Sequence, residues 1–207
     1  MKRSLALPVA AVALLAQITL GWAPSADRFT WAMENFPVWI GLGLLFAFRS
    51  KFQLSNLCLV LLGIHSVVLA VGGHYTYAKV PIGDWAAHCF HLSRNPYDRL
   101  GHLAQGFVPA IFVRELLLRK SPLQHGKLLA FFCITTSMAF SAFYEFIEWW
   151  TALLTGESAQ DFLGTQGDPW DTQWDMFMAT LGACLALLML SNAHDRSLQN
   201  LVPKTQP

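Results

Sequence analysis

The sequence predicts an all-α, polytopic membrane protein: a bundle of about six transmembrane helices with an aromatic, acidic outer face. Three observations carry that reading. Apolar residues make up 54% of the 207-residue chain and charged residues 13%, about half of the ~25% usual in soluble domains. Six apolar runs approach the ~20 residues needed to cross a bilayer. The charges are also segregated, although the formal net charge is only +1.

Taken in order, the first run, Leu5–Ala23, follows Lys2 and Arg3 and has a competing reading as a cleavable signal peptide. It extends through Trp22 without a small-x-small cleavage site, so a retained helix is preferred. The second run, Phe36–Phe48, is short and has the least certain limits. The third spans Phe52–Gly72. The outer loop that follows, Gly73–Asn95, is too apolar and aromatic for free coil, and within it Asp84–His91 reads as a short helix on the outer face. Runs four to six are Leu100–Leu118, Leu128–Trp150 and Trp174–Ser191. Residues 1–191 thus form one integral membrane domain, and the polar tail Asn192–Pro207 reads as flexible.

Orientation follows from the excess of Lys and Arg expected on the cytoplasmic side. With the N-terminus inside, the inner segments carry Lys2, Arg3, Arg49, Lys51, Arg119, Lys120, Lys127, Arg196 and Lys204. The outer segments carry Arg28, Lys79 and Arg94, with Arg99 at the edge of the fourth span. Both termini are therefore expected in the cytoplasm. Eleven of the thirteen carboxylates and all eight tryptophans then fall on or near the outer side. An interfacial aromatic collar explains the tryptophans but not the acids.

Several function classes drop out. Cys58, Cys89, Cys133 and Cys184 form no CxxC pair, which argues against a disulfide scaffold or a Cys-rich metal site. No basic stripe suits nucleic acid. No Gly-x-Ser-x-Gly elbow, Walker loop or Rossmann glycine pattern occurs, so soluble cofactors are not indicated.

Polar groups converge where the fourth and sixth spans begin and the fifth ends. Asn95-Pro96-Tyr97-Asp98 and Asp168-Pro169-Trp170-Asp171 share a pattern: capping residue, proline, aromatic, aspartate. Asn95 and Asp168 suit the N-cap, and Pro96 and Pro169 the first helical position. Capping and the helix dipole alone could account for Asp98 and Asp171. They do not account for His102 and Asp175, one turn deeper on the same faces, where an ionisable group in a membrane is costly and points to function. On the fifth span Glu145 and Glu148 share a face, with Ser141 below; Glu148 could simply sit at the wet interface. Asp98, His102, Glu145, Glu148, Asp171 and Asp175 together offer mostly oxygen donors and one imidazole, a set that suits a divalent ion such as Mg²⁺, Mn²⁺ or Zn²⁺. The same acids would serve a proton or cation relay. Gly164-Thr165-Gln166-Gly167-Asp168 could cap a substrate pocket or be a plain turn. Elsewhere, Arg114 and Glu115 are expected near the inner surface, where Arg114 can snorkel. His65 reads as a hydrogen-bonded core histidine, and His74 could reach the cluster.

The strings Gly72-Gly73-His74-Tyr75-Thr76-Tyr77-Ala78, Arg94-Asn95-Pro96-Tyr97-Asp98-Arg99-Leu100-Gly101-His102, Ala139-Phe140-Ser141-Ala142-Phe143-Tyr144-Glu145-Phe146-Ile147-Glu148-Trp149-Trp150 and Asp161–Met176 resemble the YjdF-like bacterial inner-membrane proteins. The likeness runs from Ala23 to about Leu190 and implies a bacterial inner-membrane address without a reaction. A looser likeness is to VanZ-like membrane proteins, in the order Asp98/His102, Glu145, and Asp175 with Gly182; the extra tryptophans and the Gly-Thr-Gln-Gly-Asp loop depart from it. That likeness leans toward envelope lipids or their head groups.

Two functions stay open. One is a metal-assisted enzyme acting on envelope lipids or lipid-linked head groups, with Asp98, His102 and Glu145 catalytic and Arg99, Gln166, Asp168 and Gln173 contacting substrate. The other is a non-catalytic membrane protein, either a small cation- or proton-coupled transporter or a lipid-binding module. Few polar residues cross the middle of spans four to six, which favours a surface site over a pathway.

Overall fold

A computed structural model describes residues 4–155 and 165–201. Among these residues the chain forms seven α-helices, one short 3₁₀ turn (Tyr77–Lys79) and no strand. The helices are α1 (Ala6–Trp22), α2 (Arg28–Phe48), α3 (Asn56–Tyr75), α4 (Pro81–Phe90), α5 (Tyr97–Lys120), α6 (Lys127–Thr155) and α7 (Asp171–Gln199). By length and composition α2, α3, α6 and α7 can each cross a membrane. Helix α1 is apolar but has 17 residues. Helix α5 has 24 residues, and Asp98, Arg99, His102, Arg114 and Glu115 interrupt its apolar sequence.

Helix limits follow local chemistry. Helix α2 starts eight residues before the apolar run at Phe36 because the Asp27 side chain caps it, accepting from the N–H groups of Phe29 (2.8 Å) and Thr30 (3.0 Å). Ser55 caps α3 in the same manner, accepting from Cys58 N–H at 3.3 Å. Pro81 opens α4, and α5 and α7 begin at Tyr97 and Asp171, two residues after Asn95 and three after Asp168, the residues expected as caps. Asn95 and Asp168 still act locally: their side chains accept from the N–H groups of Tyr97 (3.0 Å) and Trp170 (2.9 Å). Helix α7 runs to Gln199, so residues 192–199, expected in a flexible tail, are helical.

The six long helices alternate in direction. At one end Leu5 N–H donates to Asn56 (3.0 Å) and Leu57 N–H to Ser197 (3.1 Å), joining the starts of α1 and α3 to the end of α7. At the other, Ala26 N–H donates to the His74 carbonyl at 2.8 Å, joining the α1–α2 turn to the end of α3. Helices α5 and α7 are therefore parallel, with α6 antiparallel to both. We call the end holding Asp98, Glu145 and Asp171 the acidic end, and the end holding Arg49, Lys51, Arg119 and Lys127 the basic end.

Helices α5 and α7 pack backbone to backbone. A Cβ on Gly106 would lie 1.7 Å from the Ala179 carbonyl oxygen, and one on Gly182 would lie 2.1 Å from the Leu103 carbonyl oxygen. Ala110, Ile111, Ala183 and Ala186 continue the seam, all fully buried. Small residues allow this approach in membrane bundles, where dispersion contacts replace hydrophobic drive. The distribution of polarity is inverted relative to a soluble globule. Leu7, Leu154 and Leu188 are more than 80% exposed, whereas Asp98, His102, Glu115, Glu145, Asp175 and His194 are buried. An apolar solvent accounts for both halves of that pattern.

Candidate metal centre at the acidic end

The site forms where α5 and α7 begin and α6 ends. Asp98 and His102 lie one turn apart on α5, as do Asp171 and Asp175 on α7, while α6 supplies Glu145 and Glu148 at helical spacing. The α5–α7 seam brings the two helix starts close enough for these side chains to meet.

His102 is the centre. Its Nε2 lies 3.7 Å from Asp98 Oδ1, 3.9 Å from Glu145 Oε1 and 3.8 Å from Asp175 Oδ2. All four residues are buried. These separations exceed the ~3.2 Å limit of ordinary N–H···O bonds. Glu145 Oε1, Asp175 Oδ1, His102 Nδ1 and the Ser141 hydroxyl are buried without a hydrogen-bond partner among the described residues. Ligand atoms of Asp98, His102 and Asp175 lie within 4.8 Å of one another, and so do those of His102, Glu145 and Glu148.

Two guanidiniums border the carboxylates. Arg94 pairs with Asp171 and reaches Asp98 (3.2 Å) and Asp168 (3.5 Å). Arg99 pairs with Asp168 at 2.8 Å and lies 3.8 Å from Asp171 and 3.9 Å from Asp175. Its guanidinium also sits 5.0 Å from the Trp174 ring centre. Asp168 lies on the loop before α7, where the Trp170 N–H and the Arg99 guanidinium favour its charged form and hold its carboxyl below the usual value of 3.8.

The loop ahead of α7 is pinned by Gln166, in the left-handed backbone region at φ 49°. Its side chain makes a reciprocal pair with the Asn95 main chain, accepting from N–H at 2.9 Å and donating to the carbonyl at 3.1 Å. Asn95 in turn donates to Asp84 of α4 at 2.7 Å. An open recess of about 380 Å³ lies between this loop and α7, lined by Thr165, Gly167, Asp168, Pro169, Asp171 and Thr172. The loop residue Gly164 lies outside the described residues.

Of the residues singled out from sequence, Asp98, His102, Glu145 and Asp175 are brought together, with Glu148 and Asp171 beside them. Arg99, Asp168 and Gln166 border the site. Gln173 is exposed, between exposed Thr172 and Trp174. His74 does not reach the cluster: its ring nitrogens face the Leu20 carbonyl (2.8 Å) and the Ser25 hydroxyl (3.3 Å). His65 was expected to be hydrogen-bonded, yet its Nε2 is buried without a partner among the described residues.

Some polar residues escaped the sequence reading. Glu34 of α2 is buried and accepts from the Tyr144 hydroxyl at 3.0 Å, adding an acid close to the site; the apolar run taken as the second span began two residues later. Arg114 and Glu115 require a correction. Arg114 does not snorkel; both residues are buried in a second polar cluster at the basic end. Arg114 meets His194 Nδ1 (2.8 Å) and Asp195 (2.7 Å), and Glu115 meets His194 Nε2 (3.1 Å), Ser55 N–H (2.9 Å) and Arg119 (2.6 Å). Because Arg114 can only donate, His194 Nδ1 must accept and its proton sits on Nε2, facing Glu115. The extension of α7 past Ser191 places His194 there.

Residues 5–196 match the family model described as "Predicted membrane protein (DUF2238)". The chain is 49% identical over 173 residues to the "Inner membrane protein YjdF" of Escherichia coli (strain K12), an alignment covering 84% of this chain and 83% of that relative. No solved structure matches.

Proposed function

The chain belongs to the DUF2238 family of YjdF-like inner-membrane proteins, and from that premise we propose that its acidic end is a divalent-cation site serving chemistry on envelope lipids or lipid-linked head groups. Helices α1 and α5 join the four long apolar helices as spans of a single membrane domain, giving six crossings. Both termini then lie in the cytoplasm and the acidic end faces the outer leaflet, in keeping with the positive-inside bias.

The observation that carries this reading is His102 Nε2 facing three buried carboxylates at 3.7–3.9 Å. Four ligands held tetrahedrally at ~2.1 Å from a metal are ~3.4 Å apart, so small side-chain shifts would close this set around an ion. Asp98, His102, Glu145 and Asp175 are the proposed ligands, with Glu148 and Asp171 adjacent. A bound ion would polarise a phosphate or ester oxygen and lower the pKa of a bound water. Arg99 and Asp168 border the ligand set and would position the head group, with Gln166 holding their loop to the Asn95 main chain. Exposed Trp149, Trp150, Trp170 and Trp174 near these helix ends suit a headgroup-level boundary.

A second reading, a proton or cation relay, draws support from the buried cluster of Arg114, Glu115 and His194 at the opposite end of the same helices. The fully buried seam of Ala110, Ile111, Ala183 and Ala186 between the two clusters weighs against a pathway there. The test is metal content by mass spectrometry of detergent-purified protein, wild type beside Glu145→Ala and His102→Ala. Near-stoichiometric metal lost in both variants supports the metal centre. Absence of metal from well-folded wild type, even after incubation with Mg²⁺, Mn²⁺ or Zn²⁺, removes it and leaves the relay.

A further inference from the structure

We propose that the acidic end receives a phosphate group between Arg94 and Arg99, and that Asp168 holds the place of that phosphate until it arrives. This rests on the head-group part of the reading above, not on the cation, and names phosphate as the chemistry recognised.

The first observation is a shared contact. Asp168 Oδ2 lies 2.8 Å from Arg99 Nη2 and 3.5 Å from Arg94 Nη1, so one carboxylate oxygen sits between two guanidiniums. Arg94 has other partners, Asp98 at 3.2 Å and Asp171. Arg99 relies on Asp168. Its next carboxylates, Asp171 and Asp175, are 3.8 and 3.9 Å away, and its Nε is buried with no hydrogen-bond partner among the described residues. A guanidinium presents five donors in a planar fork, and a single carboxylate oxygen leaves most of that fork unused. Phosphate spreads its oxygens around one centre and is matched to bidentate arginine contacts.

Asp168 also differs from the acids behind it. Its side chain is 24% exposed, against 7% for Asp171 and 4% for Asp175, and it precedes α7 instead of belonging to it. Its other oxygen, Oδ1, accepts from the Trp170 N–H at 2.9 Å. Displaced from the arginines, Asp168 keeps that bond and turns its free oxygen into water. Ion pairs so open to solvent are weak, and an anion with a better fit displaces them.

An entrance lies beside this pair. The open recess of about 380 Å³ is lined by Asp168 and Asp171, the two acids that pair with the guanidiniums, and by Thr165. Trp170 follows the lining residue Pro169 and is exposed, which suits a recess opening at head-group level.

The experiment is a binding comparison. Full-length protein in detergent is titrated with dioleoyl phosphatidic acid, with dioleoylglycerol as the same lipid lacking phosphate, and with inorganic phosphate. Native mass spectrometry reads the lipids and equilibrium dialysis the phosphate. Wild type is run beside Asp168→Asn and Arg99→Gln, with size-exclusion profiles to confirm folding and metal content recorded for each sample. Wild type should bind phosphatidic acid over dioleoylglycerol. Asp168→Asn should bind it more tightly, by up to about fivefold, and Arg99→Gln more weakly, by about tenfold. A merely structural Asp168 predicts the opposite sign, and damaged folding does not produce a gain. The same variant pattern with inorganic phosphate and no lipid preference supports the cradle and assigns it to free phosphate. Asp168→Asn binding no more tightly than wild type, or Arg99→Gln binding equally well, overturns the proposal. So does binding of neither phosphate probe to folded wild type. Absence of metal from samples that show the expected pattern overturns the cation centre alone.

Discussion

Asp168 shows how a single loop carboxylate can be tested. The Trp170 N–H and the Arg99 guanidinium favour its charged form, so its folded value lies below its unfolded one. Its stabilising contribution is therefore complete above the unfolded value of ~3.9 and disappears as pH falls through the lower folded value. The melting temperature of wild type should exceed that of Asp168→Asn at about pH 6, and the difference should shrink toward zero below about pH 3. A difference that persists unchanged to the lowest pH would show that the charge of Asp168 is immaterial. At the basic end Glu115 accepts from Ser55, His194 and Arg119 together. Removing it strands those donors, and Glu115→Ala should cost about 3–5 kcal/mol in reversible unfolding, as for other broken buried ion pairs. The two clusters were unequally visible in sequence. Asp98 with His102 and Asp171 with Asp175 are four apart, so helical periodicity alone sets them on shared faces. His194 and Glu115 are separated by 79 positions, and no local spacing encodes their meeting.

Among the helices, the α5–α7 seam is the contact most sensitive to volume. A Cβ on Gly106 would meet main-chain oxygen, which cannot rotate away, so Gly106→Ala must force the helices apart. A loss of about 1–3 kcal/mol is expected, typical of overpacking. Metal retention should fall with it, since α7 carries Asp175. Gly41→Ala is the control: beyond the adjoining backbone of its own helix the added methyl meets nothing within 4 Å, so no comparable loss should appear. The six long helices were legible as apolar runs, but their limits were not. Hydropathy stops where polar side chains begin, whereas a helix continues while its backbone is bonded and its polar residues find partners. Helix α2 reaches back to Arg28 because Asp27 caps it, and those two added turns bring in Glu34. The Asp27-Arg28-Phe29-Thr30 stretch held the signal, a capping aspartate ahead of helix formers.

For the whole molecule, the native cysteines report topology without added tags. Cys89 of α4 is exposed at the acidic end, while Cys58 and Cys133 are buried. With both termini cytoplasmic, a membrane-impermeant maleimide should label Cys89 in cells with a permeabilised outer membrane, and Cys89→Ser should abolish that labelling. Labelling of Cys89 only after the inner membrane is broken would reverse the orientation. The excess of acids and tryptophans at one end and of lysines and arginines at the other was readable from the chain because topology sorts charge by loop. The gathering of three polar helix ends at that side was readable too, whereas the placing of His102 Nε2 between Asp98, Glu145 and Asp175 depends on how the helices pack.

The glycine–alanine seam has a mechanical consequence. At Gly106 and Gly182 the two helices touch through their backbones, and no side chain stands between them there to take up a displacement. Helices α5 and α7 then behave as one stiff strut, some 18 Å long between His102 and Arg114 at ~1.5 Å of rise per residue. A tilt imposed where the acids gather has no slack to dissipate into. Such a tilt is expected to be felt at the far tip, where Arg114, Glu115 and His194 meet, making the two polar ends levers on a common shaft.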